Sequence, residues 1–158
     1  MKKMKVLATF LISTSLFLGV AFADDEDFRN PEEAITALGK GGEKTREKAA
    51  EYLGDIRYAK AATRLLESLN DSSHDVREEA ARALGKIGSK EAVNALIAHL
   101  GEGSSGVRAA CAEALARIGD PKALEPIRKQ RAAEINPINQ VRMQRALDQL
   151  QSAAGAAK

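Results

Sequence analysis

The stretch VREEAARALGKIG, from Val76 to Gly88, contains the pattern that decides the fold. Its apolar residues recur every three or four positions, which places them on one face of a helix: Val76, Ala80, Ala83, Leu84 and Ile87. Gly88 follows where the C-terminus of a helix favours a residue with positive φ. The stretch therefore predicts one helix with a buried face that ends at Gly88.

A second helix is predicted directly downstream. The same spacing continues in Ala92, Val93, Leu96, Ile97 and Leu100. Ser89 can cap this second helix, and Asp75 can cap the first one, with Glu78 completing a capping box. The unit is therefore predicted as a helix of about three turns, a tight turn and a second helix.

The same unit recurs along the chain at a shift of 31 residues. Val76-Arg77 is preceded by Thr45-Arg46 and followed by Val107-Arg108. Further columns coincide at this shift: Ala49, Ala80 and Cys111; Leu53, Leu84 and Leu115; Ile56, Ile87 and Ile118. The repetition predicts an all-α protein, a right-handed α-solenoid of stacked antiparallel helix pairs with about three repeats and capping helices.

The two ends of the repeat array are less regular. Pro31 starts a helix that we interpret as the second helix of an incomplete leading unit. Val141-Arg142 restores the Val-Arg start 34 rather than 31 residues after Val107, and its helix should run to about Gln151. We therefore predict an acidic linker over residues 24–30, the repeat domain over 31–151 and a flexible tail over 152–158.

The first 23 residues have the features of an export signal. The basic start MKKMK precedes an uncharged stretch from Val6 to Ala23, and Ala21-Phe22-Ala23 has the small residues expected before a cleavage site. We predict cleavage after Ala23 and a periplasmic or secreted protein of bacterial type. The alternative is an uncleaved membrane anchor, because 18 uncharged residues lie at the lower end of spanning lengths.

The charge balance argues against nucleic-acid binding. The formal net charge is +2, but three lysines belong to MKKMK, and the remaining 21 Lys and Arg face 22 Asp and Glu. The sequence has no Trp, and only three aromatic residues follow the predicted signal: Phe28, Tyr52 and Tyr58. Such a chain has neither a basic field nor enough stacking platforms for bases.

The phrase from Val76 to Gly88 resembles a HEAT repeat, and the resemblance extends over roughly residues 31–151. More narrowly, the phrase is similar to the short HEAT-like units of phycocyanobilin lyases. This resemblance implies a helical solenoid that binds other molecules, and it leaves a lyase-like accessory protein for a small ligand or chromophore as an alternative. Because three aromatic residues are few for holding a flat conjugated ligand, we predict a protein that is not an enzyme and has no cofactor.

One basic position recurs near the start of each first helix: Arg46, Arg77 and Arg108. One interpretation is a basic stripe for an anionic ligand. The other, which we favour, is a structural ladder in which guanidinium groups hold carboxylates and loop carbonyls within and between units. Asp71 and Glu102 lie six residues before two of these arginines, whereas Lys40 occupies that place in the first unit.

Two glycines inside the first helices predict close helix packing. Gly54 and Gly85 should each cost about 1 kcal/mol relative to alanine. No GxGxxG or P-loop spacing surrounds them, so a close approach of neighbouring helices is the expected compensation.

No catalytic or metal-binding residue is predicted. Cys111 matches Ala49 and Ala80 in the repeat, so its thiol is expected to fill space on the packed face. His74 and His99 do not have the spacing of metal ligands. Deoxyhypusine hydroxylase, another HEAT-type family, binds iron through His-Glu pairs, and other residues occupy those places here: Glu47-Lys48, Glu78-Glu79 and Ala109-Ala110.

The remaining candidate site is the outward face of the second helices, which commonly line the concave side of such stacks. Its charges are mixed, so an ordinary solvated surface is the simpler interpretation. The functional hypothesis is a docking surface for another exported protein or protein segment, formed by Lys60, Thr63, Arg64, Glu67, Glu91, Asn94, His99, Lys122, Glu125 and Lys129. We therefore predict an exported HEAT-repeat scaffold or adaptor for protein–protein interaction, with membrane contact only through an uncleaved signal segment.

Overall fold

The computed structural model describes residues 28–156, which fold into helices and short connections with no strand among them. The predicted signal peptide and most of the predicted acidic linker lie outside the described residues. Within residues 28–156, no helix is both long enough and apolar enough to cross a membrane. The predicted all-α solenoid is confirmed.

The described residues contain eight α-helices. They are α1 Pro31–Lys40, α2 Glu43–Asp55, α3 Ala62–Ser68, α4 His74–Ile87, α5 Val93–Ala98, α6 Ser105–Ile118, α7 Leu124–Ala133 and α8 Pro137–Ala156. Each of α3, α5 and α7 is preceded by a 3₁₀ turn, which spans Ala59–Ala61, Lys90–Ala92 and Pro121–Ala123 respectively. A fourth 3₁₀ turn, His99–Gly101, follows α5. Because α8 continues to Ala156, residues 152–156 of the predicted tail are helical.

The helices pack as four pairs whose frame differs from that of the sequence unit. Helix α1 packs on α2, α3 on α4, α5 on α6, and α7 on α8. Helices α2, α4, α6 and α8 also pack side by side and form one layer of the stack. The second helix of each sequence unit therefore belongs with the first helix of the next unit. Helix α1 is the partner of α2, and not half of an incomplete unit.

One column of leucines runs through the core of all four pairs. Leu53, Leu84, Leu115 and Leu147 are all buried in the layer formed by α2, α4, α6 and α8. Burial of each such side chain stabilises the fold by about 1.5–3 kcal/mol. The surrounding positions are mostly alanine, and this keeps neighbouring helices close together.

Capping at the helix N-termini differs from the prediction at two places. Ser89 occupies the N-cap position before Lys90, but its hydroxyl donates to the Glu91 carboxylate at 3.0 Å and makes no capping hydrogen bond. Helix α4 begins at His74 with Ser73 in the N-cap position, so Asp75 lies inside the first turn and does not cap the helix. Asp71 precedes this end, and its carboxylate accepts a hydrogen bond of 2.9 Å from the backbone N–H of the N-cap residue Ser73. Asp120 caps the turn before α7, because its carboxylate accepts a hydrogen bond of 3.0 Å from the Lys122 backbone N–H.

Helix C-termini confirm the predicted role of Gly88. Gly88 and Gly119 end α4 and α6 with φ of 75° and 79°. The matching position after α2 is Arg57, which is the only non-glycine residue with positive φ among the described residues, at 51°. A side chain in this left-handed region costs about 1–2 kcal/mol.

Substitution of Arg57 by glycine should therefore stabilise the protein. The strain at positive φ is relieved, although glycine also makes the unfolded chain more flexible, and we expect a net gain of about 0.5–1 kcal/mol in the free energy of unfolding. Urea denaturation of Arg57→Gly and wild type measures this difference. Arg57→Ala is the matched control, because alanine removes the same charge and keeps the strain. Equal stability of the two variants would contradict the prediction.

The register of the last pair also differs from the prediction. Gln140, and not Arg142, occupies the place of Arg108: its amide donates to the Glu134 carbonyl at 2.5 Å, as Arg108 Nη1 donates to the Glu102 carbonyl at 2.7 Å. Arg142 instead contacts α6 through two hydrogen bonds to Glu113, of 2.7 and 3.1 Å. The last pair therefore follows the preceding one at a spacing of 32 residues. Relative to the 31-residue repeat it contains one inserted residue, and not the three that the Val141-Arg142 match implies.

Candidate functional site

The recurring arginines tie neighbouring helix pairs together. Arg46 on α2 donates two hydrogen bonds of 2.7 Å to the Asp71 carboxylate, which lies in the connection between α3 and α4. The same guanidinium donates through Nη1 to the carbonyl of Gly41, at 2.9 Å, in its own pair's connection. Each guanidinium of this kind thus joins two consecutive connections.

The next two arginines repeat this arrangement. Arg77 Nη2 donates to the Glu102 carboxylate at 3.0 Å, and its Nη1 donates to the Asp71 carbonyl at 2.7 Å. Arg108 holds the Glu134 carboxylate through hydrogen bonds of 2.8 and 2.9 Å. We call these three arginines and the carboxylates of Asp71, Glu102 and Glu134 the arginine ladder.

The order of the ladder explains why the first unit can have Lys40 where the later units have a carboxylate. The carboxylate six residues before an arginine pairs with the arginine of the preceding pair, and no pair precedes α1 and α2 among the described residues. Gln140 stands where the fourth arginine would be, and it keeps the carbonyl contact without placing a charge there. The ladder groups are engaged with one another and do not form an open stripe for an anionic ligand.

Hydrogen bonding within the ladder shifts its ionisation. Hydrogen bonds from Arg46 and Arg108 lower the pKa of Asp71 and of Glu134 below their ordinary values of 3.8 and 4.5. The same bonds raise the pKa of the two arginines. At Glu102, burial acts to raise the pKa, but the hydrogen bond and charge of Arg77 outweigh it, and the net shift is downward.

The ladder predicts a loss of stability in acid. A carboxylate with a lower pKa in the folded state stabilises the fold fully above its unfolded pKa and loses that contribution as the pH falls through the folded pKa. The melting temperature should therefore fall below about pH 4.5, where Asp71 and Glu134 begin to be protonated in the unfolded chain. Thermal unfolding between pH 7 and pH 2 tests this, and the Glu134→Gln variant should lose less. A flat profile would be evidence against the ladder.

The predicted docking residues lie on one set of helices and turns, which we call the second-helix face. It is made by α3, α5 and α7, the turns before them and the turn after α5. Nine of the ten predicted residues are exposed there, whereas His99, in the turn after α5, is half-buried. Lys122 Nζ donates to Asn94 Oδ1 at 2.7 Å and joins the third and fourth pairs. Arg64 pairs with Glu67, and His99 Nδ1 lies 3.6 Å from Glu102 of the ladder.

The single thiol is enclosed. Cys111 is buried in α6, and this burial raises the pKa of the thiol to about 12. A thiol in such surroundings is not ionised near neutral pH and is inert. Among residues 28–156, no group of three or more His, Cys, Asp or Glu side chains could hold a metal ion.

Comparisons with known protein families agree with the resemblance drawn from the sequence. The family described as HEAT repeats matches residues 64–148, more than half of the chain, and the PBS lyase HEAT-like repeat matches residues 45–71. A comparison with curated proteins found no match.

Two solved structures are similar to this fold. One is the complex of CpcE and CpcF of phycocyanin lyase from Nostoc sp. PCC7120, with 31% identity and a TM-score of 0.63 over 72% of this chain. The match covers 46% of the solved chain, so this chain spans less than half of that length. The other is an engineered protein with 24% identity and a TM-score of 0.54, matched over 78% of this chain and 63% of the engineered one, and it supports the fold alone.

These likenesses correct one expectation. The sequence led us to predict a protein that is not an enzyme, whereas the lyase complex and the PBS lyase repeat point to lyase activity. The physical reason is that a low aromatic content and the lack of a catalytic motif in the sequence do not determine what an exposed surface binds. Neither feature excludes a ligand held across an exposed helical surface.

Proposed function

This chain belongs to the HEAT repeat family, and we propose that it is an exported accessory chain of a lyase-type assembly, which binds a small ligand or chromophore and brings it to a protein partner. One observation carries the proposal: the likeness to a chain of the phycocyanin lyase complex, at 31% identity over 72% of this chain. That solved structure contains two different proteins, which supports a protein partner here.

The second-helix face is the surface that suits this task. Its rows come from α3, α5 and α7, which pack on α4, α6 and α8, so the face offers repeated side chains of both charges. The arginine ladder fixes the connections that hold these rows. A ligand and a partner bound on such a rigid face would be held close together, and this is the contribution that positioning makes to catalysis.

Charge reversal on the face tests the proposal. Lys60 and Lys129 are exposed and have no ion pair with any described residue, so Lys60→Glu with Lys129→Glu should leave the fold intact. We expect weaker crosslinking to the partner in an envelope extract and a smaller ligand-dependent rise in melting temperature.

The matched control makes the same change of charge on the other layer, which is formed by α2, α4, α6 and α8. Lys44 on α2 and Arg117 on α6 are exposed, although Lys44 Nζ lies 2.8 Å from the Glu47 carboxylate. Because that ion pair is exposed, Lys44→Glu with Arg117→Glu should leave crosslinking and the ligand-dependent melting shift unchanged. Equal losses in both double variants would exclude the second-helix face as the binding surface. Unchanged binding in the Lys60 and Lys129 variant, with helicity retained, would also contradict the proposal.

A further inference from the structure

The last helix pair carries large apolar side chains where the other pairs have small or polar ones. Ile135 is 92% exposed, Ile138 is 70% exposed and Val141 is 52% exposed. The equivalent positions of the two preceding pairs hold small or polar residues. They are Gly103 and Ser72 for Ile135, Gly106 and Asp75 for Ile138, and Ala109 and Glu78 for Val141. Among the described residues, Ile56 is the only other exposed large apolar side chain. We call Ile135, Ile138 and Val141 the apolar edge.

A cationic hollow adjoins the apolar edge. It has a volume of about 230 Å³ and is lined by Arg131, Gln140, Val141, Gln144 and Arg145. Neither Arg131 nor Arg145 has a carboxylate partner among residues 28–156, and the buried Nε of Arg131 has no hydrogen-bond acceptor. The nearby Asp148 accepts a hydrogen bond of 2.7 Å from the Gln144 amide. The hollow therefore has two guanidinium groups whose charge is not matched within the described chain.

At the opposite end of the stack, the first helix pair has an aromatic pair that follows an acidic run in the sequence. The acidic run from Asp24 to Asp27 lies outside the described residues and leads directly into Phe28. Phe28 packs on Tyr52 of α2, with ring centroids 5.6 Å apart. In the sequence, an acidic run thus adjoins the aromatic pair of the first helix pair, and in the structure a cationic hollow adjoins the aliphatic edge of the last.

The acidic run cannot reach the hollow of its own chain. Three steps between neighbouring helices, of about 8–10 Å each, separate the first pair from the last, a distance of roughly 25–30 Å. Four residues extend at most about 14 Å beyond Phe28. An acidic run that occupies the hollow must therefore come from a different molecule.

We propose that two copies of this chain associate in antiparallel orientation, with the acidic run of each copy in the Arg131 and Arg145 hollow of the other. Because the run and the hollow lie at opposite ends of the stack, one twofold axis makes both contacts at once and closes the dimer. The apolar edge of each copy then lies beside Phe28 and Tyr52 of its partner.

Sedimentation equilibrium measures this association, on the full chain and on the chain that begins at Asp24. We expect a dimer that dissociates as the salt concentration rises, because its contacts are charged and partly exposed. Replacement of the four acidic residues by serine, and separately Arg131→Glu with Arg145→Glu, should each raise the dissociation constant at least about tenfold. Lys44→Glu with Arg117→Glu, the matched charge control, should leave the dissociation constant unchanged.

A mixing experiment provides the sharpest test. Each of the two variants lacks both reciprocal contacts when it is alone, but a mixture restores one contact, between the intact run of one and the intact hollow of the other. The mixture should therefore associate more tightly than either variant alone and less tightly than wild type. A wild-type monomer at millimolar concentration, or a mixture no tighter than its components, would overturn the proposal. Neither result bears on ligand binding at the second-helix face.

Discussion

Replacement of Gly85 by alanine is expected to lower the free energy of unfolding by about 2–3 kcal/mol. A Cβ at this position would lie 2.6 Å from the Cα and 2.8 Å from the Cβ of Ala114 on α6. The obstacle is helix backbone, which cannot rotate aside, so α4 and α6 must separate and lose packing along their length. This loss should exceed the gain of about 1 kcal/mol that alanine brings to a helix interior. Urea denaturation measures the difference.

Gly39→Ala is the matched control for Gly85→Ala. Gly39 also has helical backbone, as the next-to-last residue of α1, but the nearest atom to its Cβ would be the Arg64 guanidinium carbon, at 3.6 Å, on a flexible side chain. Alanine at position 39 should therefore stabilise the protein by about 0.5–1 kcal/mol. If Gly85→Ala were as stabilising as Gly39→Ala, the close approach of α4 and α6 would be wrong.

Replacement of Arg108 by methionine should cost about 3–5 kcal/mol. Among residues 28–156, Arg108 is the only cation paired with Glu134, which is 3% exposed. Arg108 also donates to the carbonyls of Glu102 and Gly103. Its removal leaves a buried carboxylate without a counter-charge and two carbonyls without that donor. Chemical denaturation at pH 7 gives the loss.

Two comparisons identify the cause of that loss. Adding Glu134→Gln to Arg108→Met removes the stranded charge and should recover part of the stability, which a double-mutant cycle measures. Arg64→Met breaks an exposed ion pair with Glu67 and should change stability by no more than about 0.5 kcal/mol. A loss at Arg108 as small as that at Arg64 would mean that the ladder contributes little to the stack.

The helical repeat could be predicted from the sequence because its signals are local. The apolar spacing in VREEAARALGKIG and the positive φ at Gly88 depend on residues within one unit. The packing role of Gly85 depends on a small residue, Ala114, on the neighbouring helix. The position after α2 gave no such signal, because Arg57 adopts a glycine-like backbone conformation without being glycine.

The features that were missed depend on contacts between units. The partner of Arg108 is Glu134, which lies 32 rather than 31 residues after Glu102, so a fixed shift does not find it. Val141-Arg142 repeats the Val-Arg letters, but helical register places Gln140 at the ladder position. A search for one inserted residue between Glu102 and Glu134 would have identified both.

The candidate binding surface was only partly accessible to sequence reasoning. The exposure of the second-helix face follows from its helical period, and nine of its ten predicted residues are exposed. The chemistry of a ligand on such a face is not encoded by spacing, because the face has mixed charge and no converging set of titratable groups. The likeness to a chain of a phycocyanin lyase complex is what supports the proposed ligand-binding role.

The most direct test of the proposed function is native mass spectrometry of the protein purified from its own source, combined with its absorption spectrum. We expect a small molecule that is retained at defined stoichiometry and absorbs in the visible or near-ultraviolet range, and whose removal lowers the melting temperature. A colourless protein of the bare polypeptide mass, whose melting temperature does not change when chromophores are added, would contradict the proposal.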